Sequence, residues 1–85
     1  MRNFVDEAGR EWVATAVEEE TPRHHGRWHL VFHPAGEPGR ALRMREVRWQ
    51  SAETAERTLR TMSETELRRR LRSLERRVSP AGALG

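Results

Sequence analysis

The 85-residue chain contains no cysteine, no lysine and no tyrosine. Without cysteine it can form neither a disulfide framework nor a thiolate zinc site. Small extracellular domains usually depend on such cross-links, so the missing cysteine favours the cytoplasm. No apolar stretch approaches the roughly 18–20 residues of a membrane-spanning helix, and the first residues, MRNFVDEAGREW, lack the apolar segment of a secretory signal. We therefore expect a cytoplasmic protein without a membrane contact.

Because lysine is absent, all sixteen basic residues are arginine. Guanidinium groups suit phosphate and carboxylate ligands, although the codon usage of a GC-rich genome explains the same bias. The charges are unevenly placed. Residues 1–39 carry four Arg and seven acidic residues, a net charge of −3, and residues 40–85 carry twelve Arg and six acidic residues, a net charge of +6. A small protein with this asymmetry can attract an acidic partner along one side.

Residues typical of catalysis are sparse. A phosphate-binding P-loop needs a lysine, which the chain lacks. Asp6 is the single aspartate and fits the first position of a turn. The acidic run Glu18–Glu20 is typical of a solvated strand end, and Ser51 and Ser63 are typical of helix caps. The sequence therefore predicts that the protein is not an enzyme and that it has no catalytic residue and no cofactor.

Three of the four histidines, His25, His29 and His33, recur at intervals of four residues. On a helix this spacing would allow two of them to share a zinc ion. The alternating apolar residues around them instead favour a strand, in which four residues span about 13 Å. One ion holds two imidazoles only about 4 Å apart. His24 and His25 fall in a polar loop and supply only two ligands, so we predict no metal site.

Period-two apolar patterns and turn residues predict four strands. Asp6 and Gly9 fit the first and last positions of a four-residue turn that joins the first two strands as a hairpin. Two further polar stretches, residues 18–26 and 34–39, contain proline and glycine and separate the remaining strands. The predicted strands are Arg2–Val5, Arg10–Glu18, Arg27–His33 and Ala41–Gln50.

The last of these strands changes phase along its length. Leu42 and Met44 occupy even positions, whereas Val47 and Trp49 occupy odd ones. One extra residue near Arg45–Glu46, a β-bulge, would keep all four apolar side chains on one face.

The pattern becomes helical after Ser51. A second helix start follows at Ser63, because Ser63 and Glu66 have the spacing of a capping box. Strands followed by helices indicate an α+β fold, an antiparallel β-meander of three to four strands with two C-terminal helices packed on one face. Residues 1–78 are predicted to form the single domain, and residues 79–85 a flexible tail. The predicted apolar stripes are Ala52, Ala55, Leu59 and Met62 in the first helix, and Leu67, Leu71, Leu74 and Val78 in the second.

One face of the predicted sheet is basic. If the helices cover Trp28, Leu30 and Phe32, the opposite face carries arginine and histidine. The second strand is ambiguous, because either its Trp12 side or its Val13 side can be buried. The candidate binding residues on the basic face are Arg27, His29, His33, Arg43, Arg45 and Arg48.

Two functions fit this face. The first is a protein-interaction adaptor or regulator, which contacts a protein partner through an exposed apolar element. The alternative is the binding of nucleic acid or nucleoprotein, with arginine on phosphates and an aromatic ring on bases. A polar face is also ordinary for a half-buried antiparallel sheet, and Arg43 and Arg45 then pair across strands. Their candidate partners are Glu11, Glu18 and Glu19.

The second helix offers another basic surface. Arg69, Arg72 and Arg76 lie opposite its apolar stripe. They form either a row of phosphate contacts or an ordinary solvated face. The sequence leaves the partner, any nucleic-acid sequence preference and the oligomeric state open.

Overall fold

The computed structural model describes residues 1–19 and 27–83, with side chains to residue 77, and confirms the α+β fold. Four strands form an antiparallel meander in the order β1-β2-β3-β4, and two helices follow. Each predicted strand is confirmed to within one residue at either end. The elements are β1 (Arg2–Val5), β2 (Glu11–Glu18), β3 (Trp28–Pro34), a 3-10 turn (Pro38–Arg40), β4 (Leu42–Trp49), α1 (Ala52–Thr61) and α2 (Glu64–Ala83).

Some sequence predictions fall outside this range. Residues 20–26 of the predicted polar loop, with His24 and His25, lie outside the described residues, as does the side chain of Val78. The flexible tail was predicted to begin at residue 79, whereas the backbone of α2 continues to Ala83. Residues 84 and 85 lie outside the description, and the tail stays a prediction.

The first hairpin is built around Asp6 and Gly9, as predicted. The Gly9 amide donates to the Asp6 carbonyl at 3.1 Å, and Gly9 has a φ of 83°, which favours glycine. The Asp6 carboxylate accepts hydrogen bonds from the amides of Ala8 and Arg10 and from the Trp12 indole. The Asp6 side chain therefore stabilises the turn and also fixes the Trp12 side chain on its face of the sheet.

The helices cover one face of the sheet, and this arrangement resolves the ambiguity of β2. Trp12 is buried among the helix leucines, whereas Val13 lies on the other face. Alternation along β3 places Trp28, Leu30 and Phe32 on the helix-covered face, as predicted. The core cluster consists of Phe4, Trp12, Ala14, Leu30, Phe32, Met44, Leu59, Leu67, Leu71 and Leu74.

The phase change of β4 is confirmed as a bulge, but its predicted size is wrong. Leu30 pairs with Met44, and the preceding residue of β3, His29, pairs with Arg48. Residues 45–47 of β4 therefore lie opposite no residue of β3, where the sequence predicted one extra residue. Any odd insertion reverses the alternation, so the apolar residues in the second half of the strand still pack against the core.

Serine caps begin both helices, as predicted. Ser51 Oγ and Ser63 Oγ each accept from the amide three residues later, at 3.1 Å. The chain between the helices is extended at Met62, with a ψ of 134°. The Glu66 carboxylate contacts Arg70 at 2.9 Å, so the described contacts contain only the serine half of the predicted capping box.

Candidate binding surface

The outer face, which we define as the sheet face opposite the helices, mixes apolar and basic side chains. On the inner strands β2 and β3, Val13, His29 and Val31 are buried on this face. Among the described residues, the large hydrophobic side chains that are exposed are Met1 and Val5. The described part of the chain therefore presents no broad exposed apolar patch. The outer face comprises Val13, Thr15, Val17, His29, Val31, His33, Arg43 and Arg48.

The predicted arginines of β4 lie at the edge of the sheet. Arg43, Arg45 and Arg48 are exposed. No carboxylate of the described residues lies within 4 Å of the Arg43 or Arg45 guanidinium. Glu46, the acidic residue of this strand, contacts Arg77 of α2 instead. Since β4 is an edge strand, its outer backbone groups have no strand partner within the described ranges.

His29 lies at the centre of this arginine group and is only 2% exposed. Its Nε2 is 3.1 Å from Arg43 Nη1. Arginine can only donate, so Nε2 accepts and the neutral ring carries its proton on Nδ1. Nδ1 faces Glu19 Oε1 at 3.6 Å. The imidazole therefore bridges a carboxylate and a guanidinium on the outer face.

The surroundings of His29 lower its pKa below the ordinary value of 6.5. Burial is the largest cause, because it disfavours the charged ring. Arg43 adds repulsion, Glu19 opposes it weakly, and Arg45 and Arg48 add further repulsion. His29 is thus neutral at pH 7 and contributes no positive charge to the surface.

Glu19 was predicted only as a candidate partner of Arg43 and Arg45, whereas its carboxylate lies beside His29 and Arg48. Glu18–Glu20 reads as a solvated strand end, yet the Glu19 side chain is only 10% exposed. Its Oε1 is 3.6 Å from Arg48 Nε as well as from the histidine ring. The signal was present in the alternation, because Glu19 shares the outer face with Val17, whose strand partner is His29.

The two remaining predicted residues lie at the margins of the group. Arg27 is exposed beside Glu19, whose amide donates to the Arg27 carbonyl at 2.8 Å. His33 is half-buried, and its Nδ1 lies 2.9 Å from the Pro34 carbonyl. His33 lies beyond the last β3–β4 pair, which joins Phe32 to β4. The structure therefore gathers the arginines of β4 around His29 and leaves His33 apart.

No Trp or Phe ring lies on the outer face. The chain has three Trp, two Phe and no Tyr, and all five aromatic residues belong to described strands. Four of them, Phe4, Trp12, Phe32 and Trp49, belong to the core cluster or pack against it. Trp28 pairs with Trp49 and shares the face of its alternating neighbours. The predicted combination of arginine with a stacking ring is absent from this face.

Two other surfaces give less support for a binding site. A cleft of about 340 Å³ at one end of the sheet is lined by Arg10, Arg40 and Glu75, among others, and includes none of the predicted residues. On α2, Arg69 lies 3.5 Å from Glu66 and Arg72 contacts Glu7. The helix arginines are therefore largely matched by carboxylates, as on an ordinary solvated face.

Within residues 1–19 and 27–83, no group of three or more His, Cys, Asp or Glu side chains is placed to hold a metal ion. None of the described helices is long and apolar enough to cross a membrane. Comparisons of the chain with protein-family models, with curated proteins and with solved structures gave no match.

Proposed function

We propose that the protein is a small non-enzymatic adaptor or regulator that binds an acidic, extended segment of a partner protein along β4. The observation that carries this proposal is the position of three exposed arginines, Arg43, Arg45 and Arg48, on an edge strand. An edge strand offers unpaired N–H and C=O groups to which an extended peptide can add. The arginine side chains would then select the charge of that peptide.

The spacing of the arginines fits this mode of binding. Arg43 and Arg45 are two residues apart at the start of the bulge, and in a regular strand residues at this separation lie about 6.6 Å apart along the axis. A partner strand with an acidic residue at every second position presents carboxylates at the same interval. Guanidinium groups bind carboxylates through charge-assisted, frequently bidentate hydrogen bonds. Affinity would come from backbone pairing, and specificity from the charge.

The proposal of a non-enzymatic protein is supported by the state of its buried histidine. Arg43 occupies Nε2 of His29, and the Nδ1 side faces Glu19. Neither ring nitrogen is open to a substrate, which general acid–base catalysis requires. The absence of cysteine from the chain supports a cytoplasmic location. We propose a protein partner and no contact with a membrane.

Nucleic acid is the second candidate, and one observation favours it. Within the described residues Arg43 and Arg45 have no carboxylate partner, so both are available to phosphates. None of the Trp and Phe rings lies on the outer face, which disfavours the stacking of unpaired bases and hence single strands. A duplex, held by phosphate contacts alone, is the form of nucleic acid that remains compatible with this face.

The test is a fluorescence anisotropy titration with a labelled ten-residue peptide of alternating Asp and Val. We expect binding at low salt by the wild type. The double variant Arg43→Glu/Arg45→Glu should lose most of this binding, because the reversed charges repel the peptide. Exposed substitutions usually change the free energy of unfolding by less than about 0.5 kcal/mol, so the variant should stay folded.

Two controls sharpen this test. The variant Arg57→Glu/Arg60→Glu makes the same charge change at exposed positions of α1 and should bind like the wild type. A peptide in which every amide is N-methylated keeps its charge but has no backbone N–H to donate to a strand, so it should bind weakly. Equal binding of both peptides would overturn strand addition.

A mixed-sequence DNA duplex, titrated in parallel, separates the two candidates. Each phosphate contact adds about 0.9 to the slope of log affinity against log salt, so three arginines imply a slope of about −2.7. Duplex binding with this slope, together with no binding of the peptide, would replace the adaptor with a nucleic-acid-binding protein.

A further inference from the structure

The arginines of β4 surround a buried histidine, and the contacts of this histidine link binding of the partner to the uptake of a proton. We infer that His29 is a positioning residue for Arg43 and that it takes up a proton when the acidic segment binds. This inference rests on the function proposed for β4.

The first step is the positioning of Arg43. An exposed arginine samples many rotamers, and fixing them on binding costs conformational entropy. Here Arg43 Nη1 already bonds His29 Nε2 at 3.1 Å, and His29 itself is fixed by burial. The guanidinium is thus held against the outer face beside the edge of β4. This contact requires that Nε2 carries no proton.

The second step is the balance of charge around the ring. Three cations approach it from β4, namely Arg43, Arg45 and Arg48, and one carboxylate approaches it from the end of β2, that of Glu19. Its strand partner on β2 is the apolar Val17. The excess of positive charge, with burial, keeps the imidazole neutral in the free protein.

The third step concerns Glu19. Its Oε1 lies 3.6 Å from both His29 Nδ1 and Arg48 Nε. Glu19 Oε1 and His29 Nδ1 are buried and have no hydrogen-bond partner among the described residues. The carboxylate therefore lies between two donors without a full bond to either. A positive charge on the ring would draw Glu19 to Nδ1 and weaken its hold on Arg48.

These contacts make binding and protonation favour each other. Carboxylates of a bound segment would cancel the repulsion from the arginines and draw Arg43 away from Nε2, so the ring would accept a proton there. The reverse also holds, because coupling between two binding events is reciprocal. A proton on Nε2 would release Arg43 to the segment and draw Glu19 to the ring, while Arg48 Nε stays bonded to the Arg45 carbonyl at 2.6 Å.

The experiment measures the affinity of the Asp–Val peptide between pH 7.5 and 5.5, where aspartate stays ionised. We expect the affinity of the wild type to rise about fivefold or more as the pH falls. His29→Gln keeps an acceptor for Arg43 but cannot titrate, so its affinity should stay constant. His33→Gln removes the other histidine described on the same strand and should retain the rise.

A second measurement covers the case in which His29→Gln does not fold. The imidazole signals of His29 are titrated by NMR in the wild type, with and without saturating peptide. We expect the midpoint of the His29 titration to move to higher pH in the complex. An unchanged midpoint, or an equal rise of affinity in His29→Gln and the wild type, would overturn the inference.

The failure of the proposed function is distinguishable from the failure of this inference. If the peptide binds at no pH, the proposal of strand addition is wrong, and so is the proposal that binding takes up a proton. The positioning role is still decided in the free protein. The guanidinium signals of Arg43 should change through the titration of His29, and constant signals would show that the histidine does not hold the arginine.

Discussion

Asp6 is a single side chain that supports a whole hairpin. Burial alone would raise its pKa, but hydrogen bonds from the Arg10 amide, the Trp12 indole and the Ala8 amide outweigh burial and lower the pKa below 3.8. The folded state therefore binds the Asp6 proton less tightly than the unfolded chain does. The ionised carboxylate stabilises the fold above the unfolded pKa, and this contribution is lost as the pH falls through the folded pKa.

Asp6→Ala should lower the free energy of unfolding by about 1–2 kcal/mol at pH 7, because three donors lose their acceptor. Asp6→Asn keeps one acceptor but does not titrate, so it should show less acid destabilisation than the wild type. Urea unfolding at pH 7 and pH 3 measures both effects. Equal sensitivity to acid in Asp6→Asn and the wild type would show that this carboxylate contributes nothing to acid unfolding.

Phe32 is a residue of the opposite kind, fully buried at the centre of the core. Its ring meets that of Phe4 edge to face, with centroids 5.8 Å apart. Phe32→Ala should cost about 3–4 kcal/mol, because it removes buried apolar contacts and leaves a cavity. Phe32→Leu retains most of the volume and should cost less. Thermal melting compares the variants, and an unchanged melting temperature for Phe32→Ala would contradict the assignment of the helix-covered face.

The limits of sequence reasoning also show at single residues. The alternation on β3 correctly placed Phe32, because Trp28, Leu30 and Phe32 occupy one side of that strand and both of its histidines the other. On β2 both sides are apolar, so only the packing of the helices on Trp12 shows which side belongs to the core. The environment of His29 was not predictable, because it depends on a strand register and on the side chain of Glu19.

At the scale of elements, the break between α1 and α2 depends on one hydroxyl. Ser63 Oγ accepts from the Glu66 amide, which would otherwise lack an acceptor in the first turn of α2. Met62 is extended and ends α1, and the Ser63 cap then marks the start of the new helix. The local sequence SETE was sufficient to predict this break, since caps act within four residues.

Ser63→Ala should lower the free energy of unfolding by about 1 kcal/mol, because the Glu66 amide loses its acceptor. Ser63→Asp retains an acceptor and adds a favourable charge at the helix start, so it should be close to neutral. Chemical denaturation measures both variants. Equal stability of Ser63→Ala and the wild type would contradict the capping role.

The bulge of β4 shows what an element's sequence leaves undetermined. Alternation requires only that the number of extra residues be odd, and one or three residues satisfy it equally. The structure has three, between the pairs formed by Met44 and Arg48. The number of extra residues depends on which residues of β3 pair with β4, and this register is a property of the assembled sheet.

At the scale of the whole molecule, the acidic and basic parts of the sequence interleave. The amino terminus contacts Glu56 of α1 at 2.6 Å, Glu7 contacts Arg72 of α2, and Arg68 donates to the Val5 carbonyl at 2.7 Å. The charge difference between the two parts of the sequence therefore does not give the folded molecule an acidic side and an opposite basic side. Arg43 and Arg45 of β4 are among the described arginines that have no described carboxylate partner.

Sheet and helices share one core cluster, so they should unfold together. Tryptophan fluorescence reports on the sheet, because all three tryptophans lie in strands, and far-UV circular dichroism is dominated by the helices. We expect the two signals to give the same denaturation midpoint. Helices that melt at lower denaturant than the tryptophan signal would show that they pack weakly on the sheet.

The arginines of the β4 edge also have a consequence for colloidal behaviour. Exposed sheet edges are the usual starting points of aggregation, because two copies can pair edge to edge and extend into fibrils. Two β4 edges would bring Arg43, Arg45 and Arg48 of one copy against the same residues of another. The like charges oppose that pairing, so this edge disfavours self-assembly at high concentration. A mixture of wild type with a charge-reversed variant would remove that protection and create heterotypic pairing between the two edges.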